Sequence, residues 1–263
     1  MPKTDTKVML VCPWQKTVHP LTAYSTSMLA QRHRMQSMLH FGDAFIAHAR
    51  NKCADAFLKS KADYMLMVDD DMVIPFGHHT WFKDYGAITG LTELQYGADV
   101  VRDLLATGKT LVGGRYYQRN EKGKPVFSSF SSNKEEPVRQ VRWVGTGALM
   151  IHRQVLLDIE STFPGLSRAG NNGSGQWFSS SEHELTHGLL DLLTEFAGGA
   201  VPVSRLQELV DRTRVNSTVG MGEDVQFCIR AAQAGHWAHV AMDVVCGHIG
   251  STVFGPHNTS GKR

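Results

Sequence analysis

Short apolar runs alternate with helical periodicity along the first half of the chain. Val8–Cys12 is a continuous apolar run and reads as a buried strand, after which Pro13 and Pro20 break the pattern. A helical stretch is predicted over Ser27–Leu39, and a second over Asn51–Ser60 with Ala54, Phe57 and Leu58 on one face. Tyr64–Val68 is another apolar strand, and it runs straight into Asp69, Asp70 and Asp71. Thr92–Thr107 reads as a helix and Thr110–Gly113 as a short strand. Strand and helix in alternation predict an α/β fold with a mainly parallel sheet.

The pattern loosens after that. Arg115 to Arg142 is polar and rich in turns, and Trp143–His152 reads as a strand interrupted by Gly145 and Gly147. The stretch from Gly165 to Ser181 is dense in Gly, Ser and Asn and is predicted to be a mobile loop. Helical patterns follow over Glu182–Phe196 and Val203–Arg214, then over Glu223–Ala234, closed by Gly235. The run from His236 to Gly250 is strand-like. With no repeat and no clear linker, the reading is one domain over 1–263 that carries a flexible loop and helical insertion near 166–215.

Composition narrows the class only slightly. At 263 residues and 42% hydrophobic content the chain can bury a core without disulfide staples. Cys12, Cys53, Cys228 and Cys246 form no CxxC pair, which excludes a zinc ribbon or dithiol redox motif and fits a reducing cytosol. The N-terminal residues lack a signal-peptide core and no apolar run reaches a membrane span, so a cytoplasmic protein is expected (host cytoplasm if viral). A net charge of +2 permits an anionic partner without requiring one.

The strongest chemical signal is YMLMVDDDMVIP, Tyr64 to Pro75. Carboxylates this close repel unless a cation neutralises them. In an extended segment Asp69 and Asp71 point to one side, so both can reach one hard cation such as Mg²⁺ or Mn²⁺. The alternative is a solvated acidic turn.

This pattern resembles the GT-A fold glycosyltransferases, in particular the family-2-like group with its aspartate-any-aspartate motif. Four further blocks follow the same order. The segment from Ala47 to Pro75 resembles the family's arginine–asparagine helix leading into the metal strand, and Trp143 to Arg153 its glycine-containing acceptor-side strand. Gly222 to Gly235 resembles the glutamate–aspartate motif that opens a helix, and Cys246 to Gly250 carries the late histidine of the metal site. The resemblance implies a Rossmann-like α/β sandwich that binds a nucleoside-diphosphate sugar, most often a uridine one, and transfers the sugar to a hydroxyl. It implies a metal, Mn²⁺ or Mg²⁺, on Asp71 with Asp69 and His248. Asp224 becomes the candidate general base of an inverting transfer, with Glu223 holding an acceptor or orienting Asp224. First-turn acids that complement the helix dipole are the plainer reading of both. On the donor side the resemblance places Pro13, Trp14, Arg50, Asn51, Asp69, Asp70, Gly145, Thr146 and Gly147. Trp14 suits stacking on a base or plain core packing, and Arg50 suits pairing with the nucleotide or with Asp69.

Other readings compete. His183, Glu184 and His187 match the HExxH zinc-protease pattern, but no GxxH follows and a chance match is the simpler account. No GxGxxG or P-loop is present. Arg115, Arg119, Lys122, Lys124, Lys134, Arg139 and Arg142 interleave with Tyr116, Tyr117, Phe127 and Phe130. That mixture suits either closure over a donor diphosphate or binding of nucleic acid. A hydroxymethylated base in duplex DNA, as in viral DNA modification, is therefore one expected acceptor beside a glycan or protein. An inactive binding domain is the non-enzyme alternative.

Overall fold

In a computed structural model the chain forms an α/β sandwich around a mixed sheet. The structure describes residues 6–15, 17–43, 45–77, 98–119, 124–129, 136–166, 175–179, 189, 192–197, 199–208, 222–250 and 253–254, with 36–42, 129 and 253–254 as backbone only. The strands are β1 (Val8–Trp14), β2 (Gln36–Gly42), β3 (Tyr64–Val68), β4 (Met72–Val73), β5 (Leu111–Arg115), β6 (Phe127–Ser129), β7 (Val138–Val144), β8 (Ala148–His152), β9 (Ala238–Val245), β10 (Gly247–Ile249) and β11 (Val253–Phe254). The helices are α1 (Pro20–Arg32), α2 (Ile46–Lys59), α3 (Val100–Ala106), α4 (Arg153–Thr162) and α5 (Glu223–Gln233).

The main sheet has the order β2-β1-β3-β8-β5-β9-β7-β6. Strands β7 and β8 run against the rest. Strand alternation sorts the core into two layers. Val8, Leu10, Leu66, Val68 and Met150 face Leu29 of α1 and Val100, Val101 and Leu104 of α3. Met9, Val11, Met65, Met67, Leu149 and Ile151 face Phe57 of α2, Leu156 and Ile159 of α4 and Phe227 of α5. Both faces are covered, which is why β1 and β3 read as unbroken apolar runs, whereas the strand expected over Trp143–His152 is split between the end of β7 and β8.

β1 pairs in parallel with β2 on one side and β3 on the other, while α1 and α2 cover opposite faces. The chain therefore changes direction of travel across the sheet beside β1, and the crevice at the carboxyl ends of β1 and β3 is where such folds take ligands. A small antiparallel sheet, β11-β10-β4, stands at that end.

Several elements depart from the sequence reading. The helix predicted over Ser27–Leu39 starts at Pro20 and stops at Arg32, and Gln36–Gly42 is a strand. Pro20 begins the helix rather than breaking the chain: at the first turn it forfeits no hydrogen bond, and the His19 ring accepts from Leu21 N–H at 3.2 Å. Pro13 lies inside β1. The second helix begins at Ile46, before Asn51. The polar stretch from Arg115 to Arg142 contains β6 and the start of β7. Of the helix expected over 92–107, residues 100–106 are helical and 92–97 lie outside the described residues.

The predicted mobile loop is corrected where it is described. Trp177 and Phe178 are fully buried, and Phe178 stacks on Phe227 with centroids 4.3 Å apart. Trp177 Nε1 donates to the Leu156 carbonyl at 3.1 Å. Buried Arg230 donates to the Trp177 and Ser179 carbonyls at 3.0 and 2.9 Å. Burial lowers the Arg230 pKa to about 10. Two large aromatics outweigh the flexible residues around them. In the expected insertion, 192–195 and 203–208 are helical, whereas His183, Glu184 and His187 lie outside the described residues. No helix among the described residues is long and apolar enough to cross a membrane.

Candidate functional site

Strand β3 delivers its acids to the sheet's carboxyl edge, and helix α2 brings Arg50 beneath them. The buried Arg50 guanidinium donates to both oxygens of Asp69 at 3.0 and 3.1 Å and, through Nη1, to Glu223 at the start of α5. One cation thus ties the end of β3 to the first turn of a helix far along the chain. Burial opposes its charge, but Asp69, Glu223 and Asp224 more than compensate, and the Arg50 pKa rises. Of the two pairings open to Arg50, the structure places it on Asp69.

Asp69 has further partners. Thr146 Oγ1 donates to its Oδ2 at 3.3 Å, and its own N–H donates to the Gly147 carbonyl at 3.3 Å. The turn Gly145–Gly147 thereby joins the acid edge. It is shaped by Tyr116, whose buried hydroxyl accepts from Gly147 N–H at 3.0 Å. A Cβ at Gly145 would lie 2.0 Å from that hydroxyl oxygen, and one at Gly147 would lie 2.7 Å from the ring. Both positions require glycine because the tyrosine fills the space.

Asp71 looks the other way, toward the small sheet. Arg119 Nη1 reaches its Oδ2 at 2.6 Å and His248 Nε2 stands 3.5 Å from its Oδ1. Burial pushes the Asp71 carboxyl up, yet the hydrogen bond and charge of His248, with Arg119, hold it below the usual range. His248 Nδ1 lies 2.8 Å from the Tyr117 carbonyl, which can only accept, so that nitrogen carries the ring proton. The other nitrogen then faces Asp71, and either a second proton or a cation satisfies the pair. Backbone anchoring of one ring nitrogen is how proteins aim the other at a metal.

Imidazole with carboxylate is a donor set that suits Mn²⁺ better than Mg²⁺, which prefers oxygen ligands alone. Asp69, however, is not brought to that pair, because both its oxygens are engaged by Arg50. Among the described residues no group of three His, Cys, Asp or Glu side chains converges as a metal site. Asp70 is half-buried; burial first, then Asp71 and Asp69, push its carboxyl up.

Asp224 follows Glu223 in the first turn of α5 and accepts from Val225 N–H at 2.7 Å. Burial, more than any other influence, raises its carboxyl; Arg50 pulls it down and Glu223 pushes it up. Pro13 is buried in β1, and Trp14 is half-buried with an indole N–H that has no partner among the described residues. The Asn51 side chain is engaged elsewhere: its amide donates to Gln176 Oε1 at 3.3 Å and its oxygen accepts from Phe178 N–H at 2.9 Å. Arg50 and Asn51, adjacent on α2, therefore fasten Glu223 and Phe178, which flank the long segment between them in sequence.

The sequence reading gave Tyr116 and Arg119 only as members of a basic, aromatic stretch. The signal for Tyr116 was the pair of glycines around Thr146, which calls for a bulky neighbour. Nothing local marks Arg119 as the partner of Asp71. In the same stretch Lys122, Lys134 and Phe130 lie outside the described residues.

No protein-family model matches the sequence, and comparison with curated proteins finds no significant match. Among solved structures, A197 from STIV is similar at 15% identity with a TM-score of 0.45, over 93% of this chain and 85% of that one. A glycosyltransferase involved in glycosylation of the major capsid of PBCV-1 aligns at 8% identity and a TM-score of 0.31, over 60% of this chain and 66% of that one. A putative glucose-1-phosphate thymidylyltransferase from Bacillus anthracis aligns at 11% identity and a TM-score of 0.34, over 84% and 98%.

Proposed function

We propose that the protein is a metal-dependent glycosyltransferase that moves a sugar from a nucleoside-diphosphate sugar to a hydroxyl acceptor with inversion. The observation that carries this reading is the buried Arg50 bridge, which sets the acidic end of β3 beside Glu223 and Asp224 at the open edge of a doubly wound sheet.

Each group has a task in that chemistry. A divalent cation held by Asp71 and His248 would offset charge on the leaving diphosphate. Asp224, its carboxyl raised by burial, is the general base: it takes the proton of the acceptor hydroxyl as that oxygen attacks the anomeric carbon. The bond from that carbon to the diphosphate oxygen breaks, and its electron pair leaves with the diphosphate. Gly145 and Gly147, packed against Tyr116, shape the turn that holds Asp69 in place. Trp14, whose indole N–H has no partner among the described residues, offers a ring to the nucleobase at the end of β1.

The test is release of nucleoside diphosphate from a panel of nucleotide sugars, with Mn²⁺ and with EDTA. Plain duplex DNA, hydroxymethylated duplex DNA and glycans serve as acceptors. Metal-dependent release, lost in Asp71→Ala and Asp224→Ala, is the expected result. Stimulation by hydroxymethylated DNA alone would assign a base of DNA as the acceptor, which the basic residues Arg119, Lys124, Arg139 and Arg142 favour. Absence of metal-dependent release with every donor overturns the reading.

A further inference from the structure

One hairpin supplies three contacts to the candidate site. It runs out from β5 through Tyr117, which bridges to Pro125, and is closed by Gln118 N–H on the Lys124 carbonyl at 2.8 Å. Tyr116 supports the Gly145–Gly147 turn, the Tyr117 carbonyl fixes the His248 ring, and Arg119 reaches Asp71. The first contact is buried, the second part-buried, and both are structural. The third differs in kind: the Arg119 side chain is 50% exposed, on a long flexible stem, and its partner is a carboxylate that also faces the His248 imidazole.

We propose that Arg119 is an exchangeable counter-ion: it neutralises Asp71 when no divalent cation is bound, and turns to the donor's diphosphate when the cation arrives. This rests on the metal and donor assigned under the proposed function. The physical grounds are three. Asp71 sits next to Asp69 and Asp70, so it needs a positive partner in every state. A divalent cation between Asp71 and His248 would repel a guanidinium on the same carboxylate, so the two compete. A diphosphate arriving with the metal presents oxygens that match the guanidinium fork better than one oxygen of the Asp71 carboxylate does. The exposed stem lets Arg119 make that move without disturbing Tyr116 or Tyr117, which stay fixed by their own hydrogen bonds.

The exchange makes opposite predictions for two ligands. Mn²⁺ alone, titrated into the protein without nucleotide, should bind roughly twofold to fivefold more tightly to Arg119→Ala than to the parent, a range set by an exposed charge pair. UDP, GDP, ADP and CDP, each titrated at saturating Mn²⁺, identify the base preference. The preferred diphosphate should then bind roughly tenfold more weakly to Arg119→Ala, the loss expected for a charge-assisted hydrogen bond. Arg119→Lys should lie between the parent and the alanine variant on both measures. Asp71→Asn should bind Mn²⁺ poorly with or without Arg119. Weaker or unchanged Mn²⁺ binding in Arg119→Ala overturns the exchange, as does unchanged diphosphate affinity. If the parent shows metal-dependent turnover while Arg119→Ala moves neither affinity, the exchange fails and the glycosyltransferase reading stands. If neither the parent nor Arg119→Ala binds Mn²⁺ at all, both fail together.

Discussion

Arg50 has one charge to share among Asp69, Glu223 and Asp224, and it is buried. Removing it leaves two carboxylates facing each other with no counter-ion, so Arg50→Ala should cost about 3 kcal/mol, read from chemical denaturation. Arg50→Lys should recover only part of that, because an ammonium cannot span Asp69 and Glu223 as the guanidinium does. Asp224 yields a prediction with a sign. Its carboxyl is raised in the folded protein, so ionising it costs stability as pH rises from the unfolded value through the folded one. Asp224→Asn should therefore stabilise the fold at neutral pH, seen as a higher melting temperature, while abolishing turnover. The parent's rate should fall on the acid side with a midpoint above the ordinary aspartate value, since the base must be ionised. A melting temperature that drops in Asp224→Asn would contradict the burial account. Asp99 shows the opposite case. Burial raises its carboxyl, but His33 at 2.8 Å, Arg102 N–H and the Arg32 charge lower it overall. Its stabilisation is present above the unfolded pKa and is lost as pH falls through the folded one.

At the scale of elements, the turn between β7 and β8 is held by the hairpin that follows β5. The main sheet does not place β7 and β8 side by side, so Gly145–Gly147 carries the chain from one to the other across the sheet. Tyr116 occupies the space a side chain would need. Gly145→Ala should cost about 2 kcal/mol through overpacking, measured by denaturation, and should cost less in a Tyr116→Phe background. If the two effects simply add, the tyrosine is not what demands glycine there. The same elements show what the sequence could reveal. Strands β1 and β3 were legible because both faces are covered and every position is apolar. Helix α5 was legible from its first-turn acids and from Gly235, whose φ of +91° suits the end of a helix. The start of α1 was hidden because a proline is ambiguous until its hydrogen-bonding context is known. The 175–179 segment was hidden because its burial depends on Arg230 and Asn51, which are remote in sequence. Asp99 was hidden for the same reason, its partners Arg32 and His33 lying on another element.

Across the whole molecule, the acids and Arg50 sit where β1 and β3 end and where the helices switch faces, so ligand binding and fold stability are coupled there. Residues from β1, α2, β3, the Gly145–Gly147 turn, α5 and β10 meet at this edge, and unfolding any of them dismantles it. A ligand that requires all of them binds only the folded chain and stabilises it by mass action, about 2.7 kcal/mol at a hundred times its dissociation constant. For a chain of this size that amounts to roughly 2–4 °C per kcal/mol in melting temperature. The preferred nucleoside diphosphate with Mn²⁺ should therefore raise the melting temperature by several degrees, and either component alone by less. Trp14→Ala should reduce the shift due to the nucleotide but keep that due to Mn²⁺, since Trp14 lies at the end of β1 and His248 and Asp71 lie across the edge at the small sheet. Asp71→Asn should remove the metal's share and weaken the nucleotide's, because the two are joined through the diphosphate. A shift that survives Asp71→Asn and Trp14→Ala unchanged would place the ligand away from this edge, and with it the chemistry proposed for Asp224.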